Sequence, residues 1–221
     1  MKVIIFGATG MVGQGVLLEC LDHPEVSAVL AVGRSSCGID HPKLRELLHQ
    51  DFFDYSPIES ELTGYDACFF CLGVSAAGMS EEQYHRLTYE LTLSAAGTLV
   101  RLNPSMTFCY VSGAGTDSSE SGRMMWARVK GKTENHLLKL PFKSAFMFRP
   151  GYIQPMKGIR SKTRLYQTFY TFGRPLYPAL KTLFPSFVTT TEKVGVAMIK
   201  VALHGYPQPL LDNRDINTLA T

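Results

Sequence analysis

The chain opens on a short apolar run, Lys2 to Phe6, which passes at once into Gly7-Ala8-Thr9-Gly10-Met11-Val12-Gly13. From Met11 to Leu21 apolar residues then recur on one helical face. A strand that turns through glycines straight into a helix restricts the fold more than any other feature here, because a strand followed by a crossover helix asks for a parallel neighbour. Three glycines at this spacing predict a tight turn, a backbone open to close approach, and a helix packed hard on its strand. Behind the turn, the first amides of the helix lack intrahelical acceptors and sit at the positive end of its dipole, which favours a phosphate group. Gly7, Thr9, Gly10, Met11, Val12 and Gly13 are therefore expected to hold a dinucleotide.

The same alternation continues. Strands are predicted at Ala28 to Val32, closing at Gly33-Arg34, and at Tyr65 to Leu72, ending at Gly73. Two more follow, Thr107 to Val111, running into Ser112-Gly113-Ala114-Gly115, and Ala145 to Phe148, stopped by Arg149-Pro150-Gly151. Helical patterns lie between them at about Ser80 to Asn103, with Ser80 as N-cap, and at about Met124 to Leu140. Such an order predicts an α/β fold, a doubly wound parallel sheet covered on both faces, in one domain over 1–221. Past Gly151 the regular alternation stops. Arg160, Lys162, Arg164, Arg174 and Lys181 are interleaved with Tyr166, Phe169, Tyr170, Phe172, Tyr177, Phe184 and Phe187. Residues from about 156 to 221 are expected to form a smaller helical portion, a cap on the substrate side. Its aromatics could pack on the sheet edge beneath solvated cations, close over substrate as a lid, or meet an anionic membrane surface. Thr189 to Leu203 resembles a capped amphipathic helix starting near Thr191-Glu192.

Composition excludes several classes. A net charge of +3 without a run of Lys and Arg argues against a nucleic-acid binder. Five scattered cysteines, Cys20, Cys37, Cys68, Cys71 and Cys109, fit a reducing, cytoplasmic setting rather than a disulfide framework, and no export signal or eighteen-residue apolar stretch is present. Cys68 and Cys71 are three apart on a strand and so face opposite sides, as small buried hydrophobes. The six histidines show no ligand spacing, and no metal is expected. Ser112 follows Tyr110 and Val111, not the G-x-S-x-G elbow of a hydrolase. The small polar stretch Thr116 to Ser121 reads as a mobile loop.

With G-x-x-G-x-x-G, Gly33-Arg34, Cys71-Leu72-Gly73, Val111-Ser112-Gly113, Lys130 and Arg149-Pro150-Gly151 in this order, the chain resembles an atypical short-chain dehydrogenase/reductase. The likeness is to the Tat-interacting-protein and NmrA-like branch, and more distantly to the epimerase/dehydratase group; it covers about residues 1 to 155. The resemblance implies adenine contacts at Asp51 and Phe52. It further implies cofactor contacts at Cys71, Leu72, Gly73, Val74 and Ser75, at Lys130, and at Pro150, Gly151 and Tyr152. An acid closing the second strand would accept from both ribose hydroxyls and repel a 2′-phosphate, but Arg34 stands there, with Ser35 and Ser36 beside it. A guanidinium grips phosphate, so NADP(H) is expected ahead of NAD(H).

The family mechanism uses a tyrosine to protonate a carbonyl oxygen and a lysine four residues on to lower its pKa. Here the stretch reads Trp126-Ala127-Arg128-Val129-Lys130, with Ser112 as the implied carbonyl-orienting hydroxyl. An indole N–H donates a hydrogen bond but is no acid near neutral pH. Tyr152 or Tyr84 could substitute. Two functions follow: an NADP(H)-dependent oxidoreductase or isomerase of a small carbonyl substrate using Ser112 and Lys130, or a redox-sensing binder that acts on a regulatory partner. Either could be a monomer or a homodimer.

Overall fold

The computed structural model describes residues 1–159 and 186–221. The glycine-led alternation is realised as β1 (Lys2–Phe6), α1 (Met11–Asp22), β2 (Ala28–Gly33), β3 (Leu44–Leu48), a 3-10 turn (Ser56–Leu62) and β4 (Ala67–Phe70). A long helical run follows, made of α2 (Glu81–His85), a π-helical turn (Arg86–Glu90) and α3 (Leu91–Leu102). Then come β5 (Thr107–Val111), α4 (Met125–Leu137), β6 (Ser144–Phe148), β7 (Tyr152–Gln154), β8 (Val188–Thr190), α5 (Thr191–His204), β9 (Leu210–Leu211) and α6 (Asn213–Leu219).

The main sheet has seven strands in the order β3-β2-β1-β4-β5-β6-β9, all pairings parallel, and β7 pairs with β8 apart from it. Alternation along β1 shows why both faces are covered. Val3 and Ile5 pack with Val16 and Leu17 of α1 and Val194 and Met198 of α5, while Ile4 and Phe6 pack with Ala95, Ala96 and Leu99 of α3 and Leu137 of α4. Cys68 lies in the second layer and Cys71 borders the first, opposite faces as expected. Ser80 caps α2 through a capping box with Gln83, and Thr190 caps α5 by accepting from the Lys193 amide.

The strand at Leu44–Leu48, not singled out from sequence, carries no apolar alternation of its own; its register on β2 defines it. Regular strands and helices resume past Gly151: β9 extends the main sheet beside β6, and α5 lies in the same layer as α1. Apart from Phe187, the aromatic and basic residues named beyond Gly151 fall outside the described residues. The stretch Thr116 to Ser121 is a loop that carries several hydrogen bonds. The Asp117 carboxylate accepts from the Ser119 and Gly122 amides at 3.0 and 2.6 Å, and the Asn135 side chain donates to the Ser118 carbonyl at 2.9 Å.

Candidate functional site

Strand order reverses between β1 and β4, so the loops leaving their carboxyl ends diverge and open a crevice. Gly7, at φ +83°, leads the chain out of β1 against the backbone leaving β4; a Cβ there would lie 2.8 Å from the Cys71 carbonyl carbon. The Gly10 amide closes the turn on the Gly7 carbonyl at 2.9 Å. A Cβ at Gly13 would stand 2.1 Å from that same carbonyl oxygen, so the helix can seat against the turn only as glycine. Gly10 is the N-cap of α1 and brings no side-chain acceptor, leaving the first-turn amides without a side-chain cap.

Two cavities flank the turn. The larger, about 780 Å³, is lined by Gly10, Met11 and Val12 of the turn, by Cys71 to Ser75 after β4, by Ser112 to Gly115 after β5, by Trp126 and Lys130 of α4, and by Pro150, Gly151, Ile153 and Phe187. The smaller, about 210 Å³, is bounded by Gly7, Ala8 and Thr9 on one side and by Gly33, Arg34, Ser35, Cys37, Glu46, Leu48 and Phe52 on the other. Leu72 borders both. Together they make a slot whose waist is the glycine turn. This shape fits an elongated ligand with a negatively charged middle.

Most residues singled out from sequence line one cavity or the other; Gly13, Asp51 and Tyr152 do not. Gly13 acts from behind, by packing. Asp51 turns its carboxylate onto the Phe53 amide at 2.9 Å, shaping its own loop, and the Tyr152 hydroxyl donates to Gln154 at 2.9 Å within β7. Tyr84 is buried in α2 and borders neither cavity. Glu46, Leu48 and Ile153 were not foreseen. Glu46 arrives through the register that sets it beside Ala31, which nothing in its own neighbourhood announces. The half-exposed Val74 and Phe187 give the larger cavity an apolar mouth.

In the wall of that cavity the Lys130 ammonium donates to the Ser112 carbonyl oxygen. Burial pushes the amine down to about 8, against the pull of Glu134 in the opposite direction. Ser112 lines the same cavity, and its hydroxyl donates to the fully buried Glu134 carboxylate and lies 3.0 Å from the Phe148 carbonyl. Arg149 closes the group, its Nε reaching both Glu134 oxygens at 3.1 Å and its Nη2 contacting Ser118. Cys71 is inert here, its thiol pushed up to about 12 by burial. Among the described residues no cluster of three or more His, Cys, Asp or Glu could hold a metal, and no helix is long and apolar enough to cross a membrane.

No protein-family model matches the chain. It is 32% identical over 174 residues to Protein fmp52-1, mitochondrial, of Aspergillus terreus, covering 74% of this chain and 70% of that one. It is 27% identical over 155 residues to Protein HTATIP2 of Rattus norvegicus, covering 69% and 62%. Among solved structures, the Bordetella bronchiseptica enzyme WbmF in complex with NAD+ superposes with a TM-score of 0.67 at 16% identity, over 98% of this chain and 76% of that one. A short-chain dehydrogenase/reductase from Saccharomyces cerevisiae gives 0.66 at 14% identity, over 99% and 98%. The fungal relatives are named as mitochondrial, which does not match the plain cytoplasmic setting expected from cysteine usage.

Proposed function

The chain belongs to the atypical short-chain dehydrogenase/reductase family, and from that premise we propose that it binds a nicotinamide dinucleotide across the glycine turn, NADP(H) in preference to NAD(H). The observation that carries this reading is the pair of cavities joined at a turn whose helix amides have no side-chain cap. Diphosphate would rest on the amides opening α1, where backbone donors and dipole act together. Arg34 and Ser35 would hold the adenosine side and Phe52 the adenine. Gly73, Val74, Lys130, Pro150 and Gly151 would surround the nicotinamide side. Arg34 supports the NADP preference, since its guanidinium has no ion pair with a described residue.

When bound, that group supplies hydride chemistry at its nicotinamide ring. This chain brings to the same place an indole at Trp126, an amine at Lys130, and a Ser112 hydroxyl already engaged by Glu134. No described phenol lines the cavity, so the proton step of the family mechanism has no acid in its usual place. The arrangement therefore favours an NADP(H)-binding regulatory protein that answers to the redox state of its nucleotide. A second reading, reduction or isomerisation of a small carbonyl compound, is favoured by Lys130 alone, whose amine, lowered to about 8, could give up a proton near neutral pH.

Trp126 is the only tryptophan in the chain and lines the larger cavity, so its emission reports occupancy directly. Titration with NADPH is expected to quench it saturably, and Arg34→Ala to weaken NADPH by about 1–3 kcal/mol while sparing NADH. Unchanged emission together with no calorimetric heat at millimolar nucleotide would remove the reading. Saturable binding without loss of NADPH absorbance across a carbonyl library supports the regulator, whereas oxidation that declines as pH rises through the Lys130 titration supports the enzyme.

A further inference from the structure

The small cavity contains two charged side chains of opposite sign, Arg34 and Glu46. Glu46 stands on β3 in register with Ala31 of β2, one strand outward from the place where an acid would ordinarily read the ribose. Its Oε1 accepts from the Cys37 amide at 2.6 Å and the Cys37 thiol at 2.7 Å, and its Oε2 accepts from the Ser36 hydroxyl at 2.7 Å. A carboxylate has about four acceptor positions, so one remains, on Oε2. The Cys37 contacts hold this carboxyl below the usual range, which keeps it ionised. The Arg34 carbonyl accepts from the Gln50 side-chain amide at 3.0 Å.

We infer that Glu46 is a specificity-determining residue, lowering from the third strand the affinity for the 2′-phosphate that Arg34 raises. The inference rests on the dinucleotide reading. A ribose 2′-hydroxyl has a proton to offer the remaining acceptor position. A 2′-phosphate has none, and brings close to two negative charges at neutral pH. Arg34 and Glu46 therefore make opposite demands on the same part of the ligand, and the pocket holds NADP(H) less exclusively than its arginine alone would dictate.

Glu46→Gln separates charge from shape. The amide carbonyl can still accept from Cys37, and the amide nitrogen can donate to the Ser36 oxygen, reversing one bond without emptying it. With NADPH and NADH each titrated against Trp126 emission, Glu46→Gln is expected to raise the ratio of NADH to NADPH dissociation constants about tenfold. Glu46→Asp, which shortens the side chain but keeps the charge, is expected to move that ratio much less. A ratio unmoved by Glu46→Gln overturns the inference, and so does an equal movement caused by Glu46→Asp. Binding of neither nucleotide to the unaltered protein overturns the dinucleotide reading itself, so the two failures are told apart.

Discussion

Lys130 keeps its amine in a cavity that disfavours the charge, lowered from the ordinary lysine value of 10.5 to about 8. The unfolded chain holds that proton up to about 10.5 and the folded chain releases it near 8, so between these limits the unfolded state binds more protons and rising pH favours folding. Lys130→Met removes the difference. In urea melts from pH 7 to 10.5, the stability advantage of Lys130→Met over the unaltered protein should shrink by about 3 kcal/mol as pH rises. A gap that stays flat across the range would mean that Lys130 titrates normally. At this scale the place of Gly7, Gly10, Arg34, Trp126 and Lys130 on the two cavities was legible, because each stands in a motif its own neighbours announce. Glu46 was not, since its partners Ser36 and Cys37 belong to another strand's loop. Ser112 was found, but its hydroxyl's engagement by Glu134 depends on a helix packed from elsewhere.

Among the elements, β5, α4 and β6 are tied at their ends by Ser112, Glu134 and Arg149, with the loop at Ser118 drawn into the same group. Glu134 is fully buried and Arg149 mostly so, and a buried pair loses more from the removal of one partner than from the loss of both. Glu134→Leu should cost about 3–5 kcal/mol in denaturant unfolding, by leaving a guanidinium unpaired. Glu134→Leu with Arg149→Met should recover part of that loss. A double variant no more stable than the single one would show that the carboxylate, not the pair, holds the three elements. Most elements here were legible from apolar period and caps, as Ser80 and Thr190 show. The π-helical turn at Arg86–Glu90 was not, because an extra residue in a helix leaves the surrounding apolar pattern nearly intact.

For the whole molecule, the slot at the strand-order reversal gains its contacts from segments far apart in sequence. A ligand there should therefore stabilise the folded chain as a unit. NADPH at about a hundred times its dissociation constant should add about 2.7 kcal/mol and raise Tm by roughly 5–10 °C. An unshifted melting curve at a concentration that saturates Trp126 quenching would place that quenching outside the folded site. The doubly wound parallel sheet and the glycine turn at its centre were determined by the sequence alone, because strand period, helix period and glycine backbone freedom are local properties that need no neighbour to be read. Only the tertiary structure decided that Glu46 shares a cavity with Arg34, that Phe187 lines the larger one, and that β9 extends the sheet beside β6. In a parallel sheet, adjacency is set by crossovers and strand register, and the side chains that meet at the carboxyl edge leave no joint pattern along the chain.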